Sequence, residues 1–171
     1  RDKKSFIKCK NQYCIDLSDF ELVQKKIHQI KPDMLIHCAG LTDIELCEKE
    51  PSLAYHINAN ITKNIALACK KNTKLVYIST DQVYGLSSNH SEKNFKLDPI
   101  NQYGISKYQG EKECQKICSD FIIIRTNIFG WNIKPKRISF AEWIYFSLKA
   151  HQKITLFNDY IFSPIYTNEL A

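Results

Sequence analysis

Glycine is scarce in this chain. Only five of its 171 residues are Gly (Gly40, Gly85, Gly104, Gly110 and Gly130), and no three of them form a G-x-x-G-x-x-G loop. The sequence therefore holds no glycine-rich turn of the kind that cradles a pyrophosphate. No apolar run approaches the ~18 residues that cross a bilayer, which argues against a membrane protein. No apolar stretch follows Arg1-Asp2-Lys3-Lys4, so no secretory signal is expected. There is no C-x-x-C pair, and the seven cysteines are odd in number. Reduced, buried thiols in a cytoplasmic protein fit this best, and no metal site is expected, because the five histidines do not cluster with cysteines. There is no internal repeat, no low-complexity segment and no stripe of basic residues interleaved with aromatics.

What is present is an ordinary globular composition, 44% hydrophobic and 25% charged, in a chain long enough to bury a core. The formal charge is +6. Its basic residues are scattered, apart from short clusters at Arg1–Lys4 and Lys134–Arg137. That pattern suits a solvated surface or an acidic small ligand rather than nucleic acid.

Helical and strand signals alternate. Ser18-Asp19-Phe20-Glu21 reads as a capping box with Ser18 as the cap, opening a helix to about Ile30 that Pro32 stops. Met34–Cys38, Leu75–Ile78 and Phe121–Ile124 read as buried strands. Helices are expected from Pro51 to about Lys71, from Ile105 to Cys118 and from Ser139 to about Ala150. A polar loop is expected over 81–99 and a short strand over Ile154–Phe157. Apolar strands separated by helices of more than ten residues imply an α/β fold with a parallel sheet and helices on both faces. Ligands of such sheets bind beyond the carboxyl ends of the strands. That rule points to Ala39 and Gly40, to Ser79, Thr80 and Asp81, and to Thr126 and Asn127.

Tyr103 and Lys107 stand four residues apart and share a helix face. An ammonium beside a phenol favours the phenolate and fits the Tyr for general acid–base work near neutral pH. The spacing alone says little, since nine Tyr and 21 Lys give roughly one such pair by chance. Three exist: Tyr103/Lys107, Tyr108/Lys112 and Tyr145/Lys149. Context selects the first. Ser79-Thr80-Asp81 ends a strand upstream, Pro99 and Asn101 mark a helix entrance, and Gly104 and Ser106 are small enough to let a cofactor lie close. Tyr108 points about 140° away around the same helix. Tyr145 lies in an aromatic stretch that reads as core packing.

With these residues in place, the chain resembles the extended short-chain dehydrogenase/reductases, in their dTDP-4-dehydrorhamnose reductase-like branch. The matching stretches run in order from Asp16-Leu-Ser-Asp19 through His37-Cys-Ala-Gly-Leu-Thr42 and Ile78-Ser-Thr-Asp-Gln-Val-Tyr-Gly85. They continue with Pro99–Lys107, Gly110-Glu111, Arg125-Thr-Asn-Ile-Phe-Gly130 and Phe162-Ser-Pro-Ile165. The resemblance implies a Rossmann-like doubly wound sheet and reduction of the 4-keto group of a nucleotide-linked deoxysugar, with NADP or NAD as cofactor. Thr80, Tyr103 and Lys107 would be catalytic. Asp16, Leu17, Ala39, Gly40, Ser79, Tyr103, Lys107 and Thr126 would bind cofactor. Thr80, Asp81, Val83 and Asn127 would meet substrate. Asn58 takes the family's helix-internal Asn position and is read as a backbone hydrogen-bonding residue.

The chain departs from the family in lacking the first strand, Gly-rich loop and first helix. It is expected to be an internal fragment or a truncated product, with residues 1–130 a partial dinucleotide-binding domain and 131–171 the start of the substrate region. Such a piece should bind dinucleotide poorly and leave a sheet edge open to association. Arg1, Lys3 and Lys4 suit a 2′-phosphate, or are a solvated terminal cluster. Trp131 and Lys134–Arg137 suit a diphosphate, or are an exposed loop. A homodimer is compatible with the reading. The alternatives are an epimerase or dehydratase of the same fold, and a non-catalytic relative like the regulatory subunit of methionine adenosyltransferase.

Overall fold

The computed structural model describes residues 11–69, 73–85, 97–132, 138–156, 158 and 162–171. By packing, the chain divides into two units. One runs from Ile15 to Arg125; the other comprises the described residues of 126–171 together with residues 11–14.

The first unit is built from helix α1 (Phe20–Ile30), strand β1 (Met34–His37), α2 (Ile44–Lys49) and α3 (Pro51–Tyr55). A single π turn (His56–Asn60), α4 (Ile61–Cys69) and β2 (Lys74–Ile78) follow, then a 3₁₀ turn (Asp81–Val83), α5 (Gln102–Ile117) and β3 (Phe121–Ile124). The three strands form one parallel sheet in the order β1-β2-β3. Each crossover between parallel neighbours contains helix, as the connection geometry demands.

The first helix is capped one residue later than the sequence signal suggests. Asp19, not Ser18, is the cap, and its side chain accepts the Leu22 N–H. Ser18 instead donates its hydroxyl and its N–H to the Asp16 carboxylate. Two short-range acceptors compete at this corner, and the carboxylate nearest the helix wins.

The strands present two unlike faces, because successive side chains alternate. Leu35, Leu75, Tyr77, Phe121 and Ile123 pack with Val23 and Ile27 of α1, Ile65 and Ala66 of α4 and Cys114 of α5 to make the core. The opposite face carries Met34, Ile36 and Ile122, and Ile36 is 60% exposed. β1 and β3 are therefore half-covered strands, not the fully buried ones their apolar runs suggest. Among the described residues of this unit the helices line one face of the sheet. Cys47, Cys69, Cys114 and Cys118 are buried as expected, but Cys38 is exposed, since β1 ends one residue before it. Cys9 lies outside the described residues.

In the second unit β4 (Asn127–Phe129) and β5 (Pro164–Tyr166) pair in parallel, with α6 (Phe140–Lys149) between them in sequence and α7 (Thr167–Leu170) after. A complete capping box starts α6: Ser139 accepts the Glu142 N–H, and Glu142 accepts the Ser139 N–H. Ile154–Leu156 is not strand, and Phe157 lies outside the described residues. The aromatic stretch around Tyr145 is not core either. Trp131, Phe140, Tyr145 and Phe146 are all exposed, with Trp131 edge-on to Tyr145 and Phe146.

Candidate active site

Helix α5 starts at Gln102, three residues before the sequence-based expectation, and this places Tyr103 in its first turn. Asn101 caps it, accepting the Gly104 N–H at 2.7 Å, while the Glu48 carboxylate accepts the Gln102 N–H. The Asn101 amide also donates to Gln82 in the 3₁₀ turn after β2. Gly104 is small for a reason other than room for a ligand: a Cβ there would collide with the Gln82 carbonyl. The absence of a side chain lets the strand-end turn sit directly on the helix entrance.

Thr80 forms that turn. Its hydroxyl oxygen accepts the Gln82 N–H and its hydroxyl donates to Asp81. Burial holds the Tyr103 pKa above its ordinary value, with Asp81 and Cys47 pushing the same way and the neighbouring Thr80 hydroxyl opposing them. The Lys107 ammonium, expected to lower the Tyr103 pKa, is engaged elsewhere. It donates to the Ile78 carbonyl at 2.7 Å and lies 4.1 Å above the centre of the Tyr77 ring. Burial lowers the Lys107 pKa to about 8, against the opposing charge of Glu111.

The end of β1 meets the same place. Ala39 and Gly40 are exposed, and a Cβ on Gly40 would stand 3.0 Å from Asn58 Oδ1 and 3.8 Å from Lys107 Nζ. Asn58 sits in the π turn, an irregularity often found at functional sites. Its Oδ1 accepts the Leu41 N–H at 2.8 Å, and its Nδ2 donates to the Leu41 carbonyl and to Ser106 Oγ. Asn58 thus holds the loop after β1 by backbone hydrogen bonds, as the sequence reading has it, and ties that loop to α5. Ser106 passes its own hydrogen to the Tyr103 carbonyl, so its small side chain is used inside the protein.

Behind this layer lies His37. Thr62 spends its hydroxyl hydrogen on the Asn58 carbonyl at 2.8 Å, so the proton in the 3.0 Å His37–Thr62 contact sits on His37 Nε2. Burial, with help from Lys107, lowers the His37 pKa to about 4 and keeps the ring neutral.

The structure therefore brings together Gly40, Thr80, Asp81, Tyr103 and Lys107. Ser79 is adjacent but buried, its hydroxyl on the Glu111 carboxylate. Val83 is fully buried in the turn. Asp16 and Leu17 stand at the entrance to α1, where Asn64 of α4 donates to the Leu17 carbonyl. Thr126 and Asn127 open the second unit, and Asn127 begins β4. Arg1, Lys3, Lys4 and residues 133–137 lie outside the described residues. Sequence reasoning quoted His37, Glu111 and Arg125 only as parts of matching stretches and gave neither them nor Tyr77 a role, which only packing between distant elements defines.

A parallel three-stranded sheet with a hydroxyl, a Tyr and a Lys converging at the end of its middle strand is the framework of a Rossmann-type α/β protein. The family model described as the RmlD substrate binding domain matches residues 1–171, and the chain belongs to that family. It is 31% identical to the dTDP-4-dehydrorhamnose reductase of Escherichia coli K12 over 93% of this chain and 53% of that protein. It superposes on the dTDP-4-dehydrorhamnose reductase of Bacillus anthracis, solved in complex with NADP, with a TM-score of 0.82 at 34% identity, covering 91% of this chain and 55% of that one. It is also 25% identical to methionine adenosyltransferase 2 subunit beta of Danio rerio, over 100% of this chain and 51% of that protein. The chain thus spans about half the length of the curated relatives it matches. Among the described residues no helix is long and apolar enough to cross a membrane.

Proposed function

We propose that this chain carries the catalytic part of an NAD(P)H-dependent reductase acting on the 4-keto group of a nucleotide-linked deoxysugar, in polysaccharide biosynthesis. The observation that carries the reading is the convergence at the carboxyl end of β2 of Thr80, of Tyr103 in the first turn of α5, and of Lys107 one helical turn along, its ammonium on the Ile78 carbonyl.

Residues 1–130 are read as the dinucleotide-binding part and 131–171 as the start of the substrate region. NADP or NAD fits the residues present, because the exposed backbone of Ala39 and Gly40 lies beside the Lys107 ammonium, where a nicotinamide ribose would be held. Asp16 and Leu17 are read as lying by the adenine, and Ser79 and Thr126 as lining the groove. Asp81, Val83 and Asn127 are assigned to the substrate. When bound, the nicotinamide supplies the hydride. Negative charge then develops on the keto oxygen. The Thr80 hydroxyl donates a hydrogen bond to it, Tyr103 gives it a proton, and Lys107 supplies positive charge. A protonated, half-buried Tyr103 is already in the form that donates. A cytoplasmic location suits the free thiols, and a homodimer is compatible with the reading.

The test is Tyr103→Phe in the full-length protein containing these residues. Turnover of NADPH with 4-keto nucleotide sugars should fall about a hundredfold or more, with NADPH binding unchanged. A wild type that oxidises no NADPH, or a variant that keeps full turnover, would overturn the reading. The first outcome would favour a regulatory role, to which the similarity with the adenosyltransferase subunit points.

A further inference from the structure

Glu111 is fully buried, and the proposed chemistry does not use it. It stands on α5 one turn beyond Lys107, which itself stands one turn beyond Tyr103. These three residues form a stripe on one side of the helix. Two of them grip consecutive positions at the end of β2, and the third stands beside the next. Lys107 Nζ donates to the Ile78 carbonyl, Glu111 Oε1 accepts the Ser79 hydroxyl at 2.5 Å, and Tyr103 neighbours Thr80.

The other side of the Glu111 carboxylate holds Arg125, the residue after β3. Arg125 Nη2 donates to Oε2 at 2.8 Å, and Nε lies 3.1 and 3.2 Å from the two oxygens. Arg125 Nη1 reaches the Tyr84 hydroxyl at 3.3 Å, at the far end of the 3₁₀ turn. The Ser79 N–H donates to the Ile124 carbonyl, next to Arg125 in sequence. A single buried carboxylate thus joins the ends of β2 and β3 to α5. Burying such a pair costs desolvation that well-packed apolar side chains of similar size avoid, so stability alone does not account for it. What it supplies is fixed geometry, because four hydrogen bonds to one carboxylate define where Ser79, and hence Thr80, must sit.

We propose that Glu111 is a positioning residue that, through Ser79 and Arg125, sets Thr80 at the distance from Tyr103 that the reaction requires. The inference rests on the reductase reading above. The carboxylate has a second effect through charge. The groups facing Lys107 are Glu111 and Cys114 on α5, Cys38 after β1, neutral His37 on β1 and the Tyr77 ring on β2. Of these, Glu111 is the largest of the influences that keep Lys107 protonated against burial. Without it the Lys107 pKa falls further from its ordinary value.

The experiment compares Glu111→Gln and Ser79→Ala with wild type in the full-length protein. It measures kcat and KM across pH, and the Lys107 titration by NMR of its side chain. Both variants should lower kcat about ten- to a hundredfold, with KM changed no more than about twofold. Only Glu111→Gln should move the alkaline limb and the Lys107 titration to lower pH. Folded variants with wild-type kcat and an unmoved Lys107 titration overturn the inference. Ser79→Ala decides the positioning if Glu111→Gln does not fold, since it removes one hydroxyl and leaves the ion pair intact. A wild type without reductase activity would remove the reductase reading. The Lys107 titration then decides alone: a fall in Glu111→Gln supports the coupling, and no change overturns it.

Discussion

Gly110 and His37 show how single residues carry the frame of the site. A Cβ on Gly110 would lie 2.5 Å from the Tyr77 hydroxyl and 2.6 Å from the Asn58 carbonyl, neither of which can retreat through the packed core. Gly110→Ala should destabilise the protein by about 1–3 kcal/mol, as overpacking does, and lower the melting temperature accordingly. His37 is held neutral with its pKa lowered to about 4, whereas the unfolded chain protonates it near 6.5. Its contribution to stability is therefore complete above pH 6.5 and is lost as pH falls toward 4, with a slope of up to ~1.4 kcal/mol per pH unit. Urea unfolding at pH 7, 6 and 5 measures this. His37→Gln keeps a donor to Thr62 but does not titrate, so it should flatten the dependence.

The entrance of α5 is where an element decides function. Asn101 closes the helix start and holds the 3₁₀ turn, so a single side chain sets both the first turn that bears Tyr103 and the strand end that bears Thr80. Asn101→Ala should cost about 1 kcal/mol of stability through the lost cap, read from a denaturant midpoint with unchanged slope. The π turn acts in the same way on the other side. It turns Asn58 toward Leu41 and Ser106, joining the loop after β1 to α5. Asn58→Ala should leave the Leu41 N–H without its partner and cost about 1–3 kcal/mol.

At the scale of the whole molecule, the unequal faces of the three-stranded sheet matter most. One face packs against α1, α4 and α5, and the other exposes Met34, Ile36 and Ile122 on the two outer strands. Exposed apolar surface at a sheet edge promotes association. This chain should self-associate with rising concentration in sedimentation velocity. Ile36→Lys should reduce that association without lowering the melting temperature, because its side chain contributes little to the packed face.

The periodicity and turn chemistry of the sequence were enough to determine three strands and the main helices, and to single out Tyr103 among three Tyr/Lys pairs as the candidate. Those signals are local: apolar spacing, a cap, a proline, a small residue at a strand end. The tertiary structure alone decided what they could not carry. Asn58 and Ser106 are 48 residues apart when they bond, and His37 and Thr62 are 25 apart. Whether an apolar strand is covered on one face or two depends on what packs there, so β1 read as buried and is half exposed. The three-residue strands β4 and β5 pair across a long separation and are too short to leave a pattern. The Glu111–Arg125 pair looks like two surface charges in sequence, and only the meeting of α5 with the end of β3 buries it and ties it to Ser79.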